Sequence, residues 1–212
     1  MKWGKMTDPK EKFYRSPTKL YCFADTVGLC KELLNAGARV IQLRNKSVDD
    51  RTFRNIATQM LEHIRRFDDA LLIINDRVDI AIEISADGVH VGQQDEGYKE
   101  VIRRVPDRII VGVSARYPDI AEAAARAGAT YVGTGAVFST PTKLEATVVG
   151  LQGLRAVVER VAIPVVAIGG ISEENIRQAI AAGARYCAVI SGINSAKDVG
   201  AAYHRLAVAC SD

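Results

Sequence analysis

A compact (β/α)8 TIM barrel is the fold class this sequence predicts, on three observations. An Ala-Gly-Ala unit recurs at Ala36-Gly37-Ala38, Ala127-Gly128-Ala129 and Ala182-Gly183-Ala184, each time where a helical pattern gives way to a strand-like run. Eight such runs alternate with helical patterns, an order that yields parallel strands joined by right-handed crossovers. The turn after the first run, Ala24-Asp25-Thr26-Val27, carries no GxGxxG. A doubly wound open sheet, the competing architecture, usually shows that phosphate loop there.

The chain is of a size to build one full core, with 212 residues, 48% of them hydrophobic and 25% charged. That composition excludes disordered and collagen-like chains. Net charge is only +3, so no nucleic-acid footprint is present and any anion must be bound locally. The longest uncharged, mainly apolar stretch, 161–171, is broken by Pro164 and falls short of the roughly 18 residues a membrane span needs. Residues 1–19 show no apolar core of a secretory signal, which predicts a cytoplasmic protein. Cys22, Cys30, Cys187 and Cys210 form no CxxC pair, and read as buried reduced thiols. Oligomeric state is not specified, and a homo-oligomer stays open.

Residues 1–19 read as an N-terminal extension and 20–212 as a single barrel domain. Strands are predicted at 20–24, 38–44, 70–75, 88–93, 108–114, 129–135, 164–169 and 185–191, where apolar runs are bounded by turn residues. At each Ala-Gly-Ala joint the glycine ends a helix in the left-handed conformation. Between the second and third strands, Phe53, Ile56, Met60, Leu61, Ile64 and Phe67 recur mostly at helical spacing, with Ser47 and Asp50 reading as an N-cap and its acidic support. The helical piece at 78–84 is unusually short.

Chemistry in a TIM barrel sits at the C-terminal ends of the strands. In Val40-Ile41-Gln42-Leu43-Arg44, alternation that turns Ile41 and Leu43 to the helices turns Gln42 and Arg44 inward, with Lys46 just beyond. An inward arginine fits a core ion pair or, with Lys46 beside it, an anion. Strand three ends in Asn75-Asp76, and strand four is followed by Gln94-Asp95. Asp76 either caps the next helix or joins Asp95 as a rim pair. Such a pair serves acid–base chemistry or Mg²⁺, and the nearby Arg44, Lys46 and Lys143 favour the metal with an anion. His90 reads as a satisfied lumen residue. Ser114 at the end of strand five either caps a helix or bonds a phosphate. The loop Phe138-Ser139-Thr140-Pro141-Thr142-Lys143 is a lid over an anion or a solvated turn. Gly169-Gly170 and Ser191-Gly192 follow strands seven and eight, where many barrels hold a phosphate on backbone N–H groups and a short helix.

Five motifs at these strand ends carry a family resemblance. They are Gln42-Leu43-Arg44-Asn45-Lys46, Ile74-Asn75-Asp76-Arg77, Asp87-Gly88-Val89-His90-Val91-Gly92-Gln93-Gln94-Asp95, Thr140-Pro141-Thr142-Lys143 and Val166-Ala167-Ile168-Gly169-Gly170-Ile171. Together the chain from about residue 20 to 206 resembles the thiamine phosphate synthase family. The resemblance implies condensation of hydroxymethylpyrimidine diphosphate with hydroxyethylthiazole phosphate, releasing pyrophosphate, with Mg²⁺ required. By motif, it implies that Gln42, Leu43, Arg44, Asn45, Lys46, Asn75, Ser114 and Lys143 hold the pyrimidine diphosphate. Asp76 and Asp95 would bind Mg²⁺. Thr140, Pro141, Thr142, Gly170, Ile190 and Ser191 would take the thiazole phosphate. Arg44, Lys46, Ser114 and Lys143 would act on the departing charge, and no protein nucleophile is required.

Three positions depart from the pattern: Arg116 stands where the superfamily often has His, Ala136 where the family often has Pro, and Gly192 where Ala is common. None removes an implied ligand. TenI-like relatives, which tautomerise the thiazole or act without turnover, are the nearest alternative, and a sugar-phosphate isomerase or epimerase barrel is another. Survival of Asp95 and the Thr142-Lys143 loop, and the Arg44, Lys46, Lys143 cluster, favour the synthase. Arg116 points the same way, because an arginine does not give up its proton near neutral pH and is a poor proton shuttle.

Overall fold

The computed structural model describes residues 8–92, 97–140 and 147–210. A short helix α1 (Pro9–Arg15) precedes the alternating units. These run β1 (Leu20–Ala24), α2 (Val27–Ala36), β2 (Val40–Leu43), α3 (Asp50–Ile64), β3 (Leu71–Asn75), α4 (Val78–Glu83), β4 (Gly88–Val91) and α5 (Tyr98–Arg104). They continue with β5 (Ile110–Ser114), α6 (Pro118–Ala127), β6 (Tyr131–Thr134), α7 (Gly150–Arg160), β7 (Val165–Ile168), α8 (Ile176–Ala181), β8 (Tyr186–Val189), α9 (Ser191–Asn194) and α10 (Val199–Ala209). Every strand pairs in parallel with its sequence neighbours and β8 closes on β1. The fold is the (β/α)8 barrel that the sequence predicts. No helix among the described residues is long and apolar enough to cross a membrane.

The three joints are built by backbone geometry. Gly37 and Gly128 take φ of 106° and Gly183 takes 99°, a conformation without penalty only for glycine. The N–H of Ala38 then bonds the carbonyl of Leu33, and that of Ala129 the carbonyl of Ala124, completing the helix caps. This is why β2 and β6 begin two residues later than their apolar runs. Ala38 and Ala129 are buried, but they finish helices instead of pairing in the sheet. The expected Ser47 cap is displaced by Asp49, whose carboxylate accepts the Thr52 N–H at 2.7 Å. That bond holds the exposed Asp49 carboxyl below the usual range. Ser47 instead donates from both its backbone N–H and its hydroxyl to the Asn45 side-chain oxygen.

Period-two alternation divides the strands into two cores. Ile41, Leu43, Leu72, Ile74, Val89, Val111 and Val132 face the helix layer. Tyr21, Phe23, Val40, Ile73, Ile110, Tyr131, Val166 and Tyr186 fill the lumen. Helix α1 seals the N-terminal end of that lumen. Its Phe13 is fully buried, stacks on Tyr131 and lies tilted against Tyr186, at centroid separations of 4.9 and 4.8 Å. The Tyr186 hydroxyl donates to the Phe13 carbonyl. Arg185 adds a bond to the Ser16 carbonyl at 2.8 Å.

All four cysteines are free and buried. Burial pushes the thiols of Cys22, Cys30 and Cys187 up to about 12 and that of Cys210 to about 11, which leaves them as inert thiols. One buried carboxylate braces the barrel wall. Asp87, 1% exposed, accepts from Arg65 at 2.8 and 3.0 Å and from the Leu72 N–H at 2.8 Å. Asp87→Ala orphans that buried N–H and is expected to cost about 1–3 kcal/mol in urea denaturation. A loss within experimental error would show that water replaces the carboxylate.

Candidate active site

A cavity of about 820 Å³ opens where the strands end, within the range of small-molecule sites. The β2 end delivers Gln42 from the buried lumen and Arg44 and Lys46 at the rim, as alternation requires. The β3 end delivers Asn75 and Asp76 to the same wall. Asp76 sits at φ 62°, in the left-handed region uncommon for a residue with a side chain. Its backbone N–H bonds the His90 carbonyl at 2.9 Å, and its carboxylate accepts from the Asn75 amide at 2.6 Å and pairs with Lys46 at 3.3 Å. The carboxylate is therefore not a helix cap: α4 begins after Arg77 with no side-chain capping bond. Backbone strain held at a functional rim is a recurrent way of aiming a ligand.

Ser114 at the end of β5, Thr140 after β6, Gly170 after β7, and Ile190 with Ser191 after β8 also line the cavity. A Cβ at Gly170 would overlap the Ser139 carbonyl and the Phe138 side chain. Glycine thus lets the β7 and β6 loops lie against one another. Asn175 holds the β7 loop by donating to the Gly170 carbonyl and accepting the Ser172 N–H, both at 2.8 Å. Helix α9, one turn starting at Ser191, supplies the short helix expected after β8. The cavity thus brings together Gln42, Arg44, Lys46, Asn75, Asp76, Ser114, Thr140, Gly170, Ile190 and Ser191.

Two expected contacts are not brought in. Leu43 is fully buried in the outer core, because the alternation that turns Gln42 inward turns Leu43 to the helices. Asn45 lies outside the cavity lining, its amide bonded to the Asp25 carbonyl and its oxygen to Ser47. It shapes the β2–α3 loop that carries Lys46. Asp95, Pro141, Thr142 and Lys143 lie outside the described residues.

The cavity also has lining residues that strand-end reasoning passed over. Tyr21, Phe23 and Tyr131 form its floor, and period-two alternation around Cys22 and Val132 was the available signal. His90 is a lumen residue, as read, but both ring nitrogens are engaged at the floor: Nδ1 with the Tyr131 hydroxyl at 2.9 Å and Nε2 with the Ser114 hydroxyl at 3.0 Å. Arg116 and Tyr117 stand at the mouth. Burial raises Tyr21 and Tyr131 well above the usual phenol value, so both hydroxyls keep their protons.

Chemically, the β2–β3 wall concentrates Arg44 and Lys46 beside one carboxylate and one amide, while glycines and hydroxyls form the β7–β8 wall. Cations and a hard oxygen donor suit a polyanion with a divalent ion. Small residues with accessible backbone suit a monophosphate. The Asp76 carboxylate fits Mg²⁺, which takes one or two carboxylates and completes its shell with water and phosphate oxygens.

Known proteins resemble this chain over most of its length. The chain is 40% identical over 197 residues to a thiamine-phosphate synthase of Pyrococcus furiosus, covering 91% of this chain and 94% of that protein. It is 44% identical over 178 residues to the Caldivirga maquilingensis thiamine-phosphate synthase, covering 84% and 86%. The solved thiamine phosphate pyrophosphorylase from Pyrococcus furiosus superposes with a TM-score of 0.86 at 38% identity, over 93% of this chain and 97% of that one. Residues 17–193 match the thiamine monophosphate synthase family, and with that match and these identities the chain belongs to the thiamine monophosphate synthase family.

Proposed function

We propose that this chain condenses hydroxymethylpyrimidine diphosphate with hydroxyethylthiazole phosphate to give thiamine phosphate and pyrophosphate. The observation that carries the reading is the pairing of two anion-accepting walls in one cavity: Arg44, Lys46, Asn75 and Asp76 on one side, Gly170, Ile190 and Ser191 on the other. Arg44 and Lys46 bind the diphosphate of the pyrimidine substrate. Their charge, with that of Lys143 and a hydrogen bond from Ser114, offsets the charge that grows on the departing pyrophosphate. The C–O bond to the pyrimidine methylene breaks with its electron pair leaving on pyrophosphate. The thiazole nitrogen then donates its pair to that carbon, and no enzyme nucleophile or base takes part. Thr140, Pro141, Thr142, Gly170, Ile190 and Ser191 orient the thiazole phosphate for that capture.

Asp76 and Asp95 would hold Mg²⁺, which when bound supplies further neutralisation of diphosphate charge. The small-molecule phosphates are the partners, and the cytoplasm is the proposed compartment. The test is pyrophosphate release from the two substrates by the purified protein, with and without Mg²⁺. Pyrophosphate and thiamine phosphate in equal amounts, dependent on Mg²⁺, are expected. Tautomerisation of the carboxylated thiazole phosphate at enzymatic rates without pyrophosphate release would overturn the reading in favour of a TenI-like enzyme.

A further inference from the structure

We propose that Gln42, Tyr21, Tyr131 and His90 form a positioning relay that holds His90 as its Nε2–H tautomer and thereby makes the Ser114 hydroxyl a donor toward the bound diphosphate. The proposal deepens the synthase reading and rests on it for the identity of the anion. Five strands contribute one residue each, joined by four hydrogen bonds. The Gln42 amide nitrogen donates to the Tyr21 hydroxyl at 2.8 Å, and Tyr21 meets the Tyr131 hydroxyl at 2.7 Å. Tyr131 meets His90 Nδ1 at 2.9 Å, and His90 Nε2 meets the Ser114 hydroxyl at 3.0 Å. Gln42, Tyr21 and Tyr131 are all buried.

Proton counting gives the relay one direction. An amide nitrogen has only hydrogens to offer, so the Tyr21 oxygen accepts from Gln42. The single Tyr21 proton then passes to the Tyr131 oxygen, and the single Tyr131 proton points at Nδ1. A neutral imidazole that accepts at Nδ1 carries its hydrogen on Nε2. Nε2–H therefore donates to Ser114, and the serine proton is directed away from His90. The opposite sense would need the Gln42 carbonyl against Tyr21 and would aim a Ser114 lone pair at an anion, which is repulsive. In the sense that Gln42 sets, the Ser114 hydroxyl becomes the donor for the diphosphate. Successive bonds of one sense polarise each other.

The relay is held mechanically as well. Phe13 stacks under the Tyr131 ring, and a Cβ at Gly112 would overlap that ring. Glycine on β5 is what lets the tyrosine cross the lumen to reach His90.

The first test is the ring-nitrogen NMR spectrum of ¹⁵N-histidine-labelled protein without substrates, His90 being assigned by the loss of its signals in His90→Gln. A pyrrole-like Nε2 and a pyridine-like Nδ1 are expected, and the reverse assignment overturns the relay. In Tyr131→Phe, which keeps the ring stack, the His90 signals should shift toward a tautomer mixture. Turnover should fall roughly three- to tenfold with little change in KM for the pyrimidine diphosphate, the size of one oriented hydrogen bond. Tyr21→Phe should move the same signals from one bond further away, and His90→Gln, whose amide carries N–H without tautomers, should retain more turnover than His90→Leu. Unchanged His90 signals and turnover in both tyrosine variants would overturn the proposal. A wild-type protein that releases no pyrophosphate but shows the Nε2–H ring would sink the synthase reading and leave the relay standing.

Discussion

Phe13→Ala is expected to lower stability by about 3–5 kcal/mol, the range for truncating a fully buried phenylalanine. Phe13 has no exposed surface and lies against two lumen tyrosines, so its removal leaves a cavity at the sealed end of the barrel. The strands around it are tied by closed pairing and cannot collapse inward to refill the space. Urea denaturation reads the loss as a lower midpoint at unchanged slope. Tyr14→Ala is the control. Its ring is 46% exposed, and a change well under that of Phe13→Ala is expected. Small losses in both variants would place α1 outside the cooperative core.

Asp76→Asn is expected to lower turnover at limiting Mg²⁺ by about 10²-fold or more, on the order of 2.7 kcal/mol in transition-state stabilisation. Its stability should fall by about 1 kcal/mol at most, the size of one partly exposed ion pair. The two expectations separate because asparagine keeps an acceptor oxygen for the Asn75 amide but loses the charge that a metal needs. Its ion-pair partner Lys46 is 62% exposed, and such pairs contribute little. Asparagine also tolerates the left-handed conformation at φ 62° as readily as aspartate does. Mg²⁺ titration of pyrophosphate release, beside thermal unfolding, checks both halves. A parallel loss of stability would make Asp76 a structural rim residue, and an unchanged Mg²⁺ dependence would remove it from the metal site.

Much of the site was legible in the sequence because the signals were local. Gln42, Arg44, Asn75, Asp76 and Ser114 were found by asking which polar residues end apolar runs, and β-strand periodicity answers that within a few residues. The same periodicity argued against Leu43, which the motif carried in as a ligand and the outer core claims. Ser47 is not the cap, and Asn45 lies outside the cavity lining, for a related reason. Several polar residues in a row can each cap or bond locally, and the loop path selects Asp49 as the cap while Asn45 ties the turn.

The sequence by itself determined the barrel class, the order of its eight strands, the three glycine joints and the polar chemistry of the strand ends. All of these are written in spacing and in residues with special backbone freedom. Only the tertiary structure decided that α1 seals the lumen and that Tyr21, Gln42, His90, Ser114 and Tyr131 meet in one hydrogen-bonded line. Those meetings depend on the register of strands far apart in the chain and on how far each side chain reaches across a closed barrel. No local pattern encodes either quantity, because both are set when all eight strands pair at once.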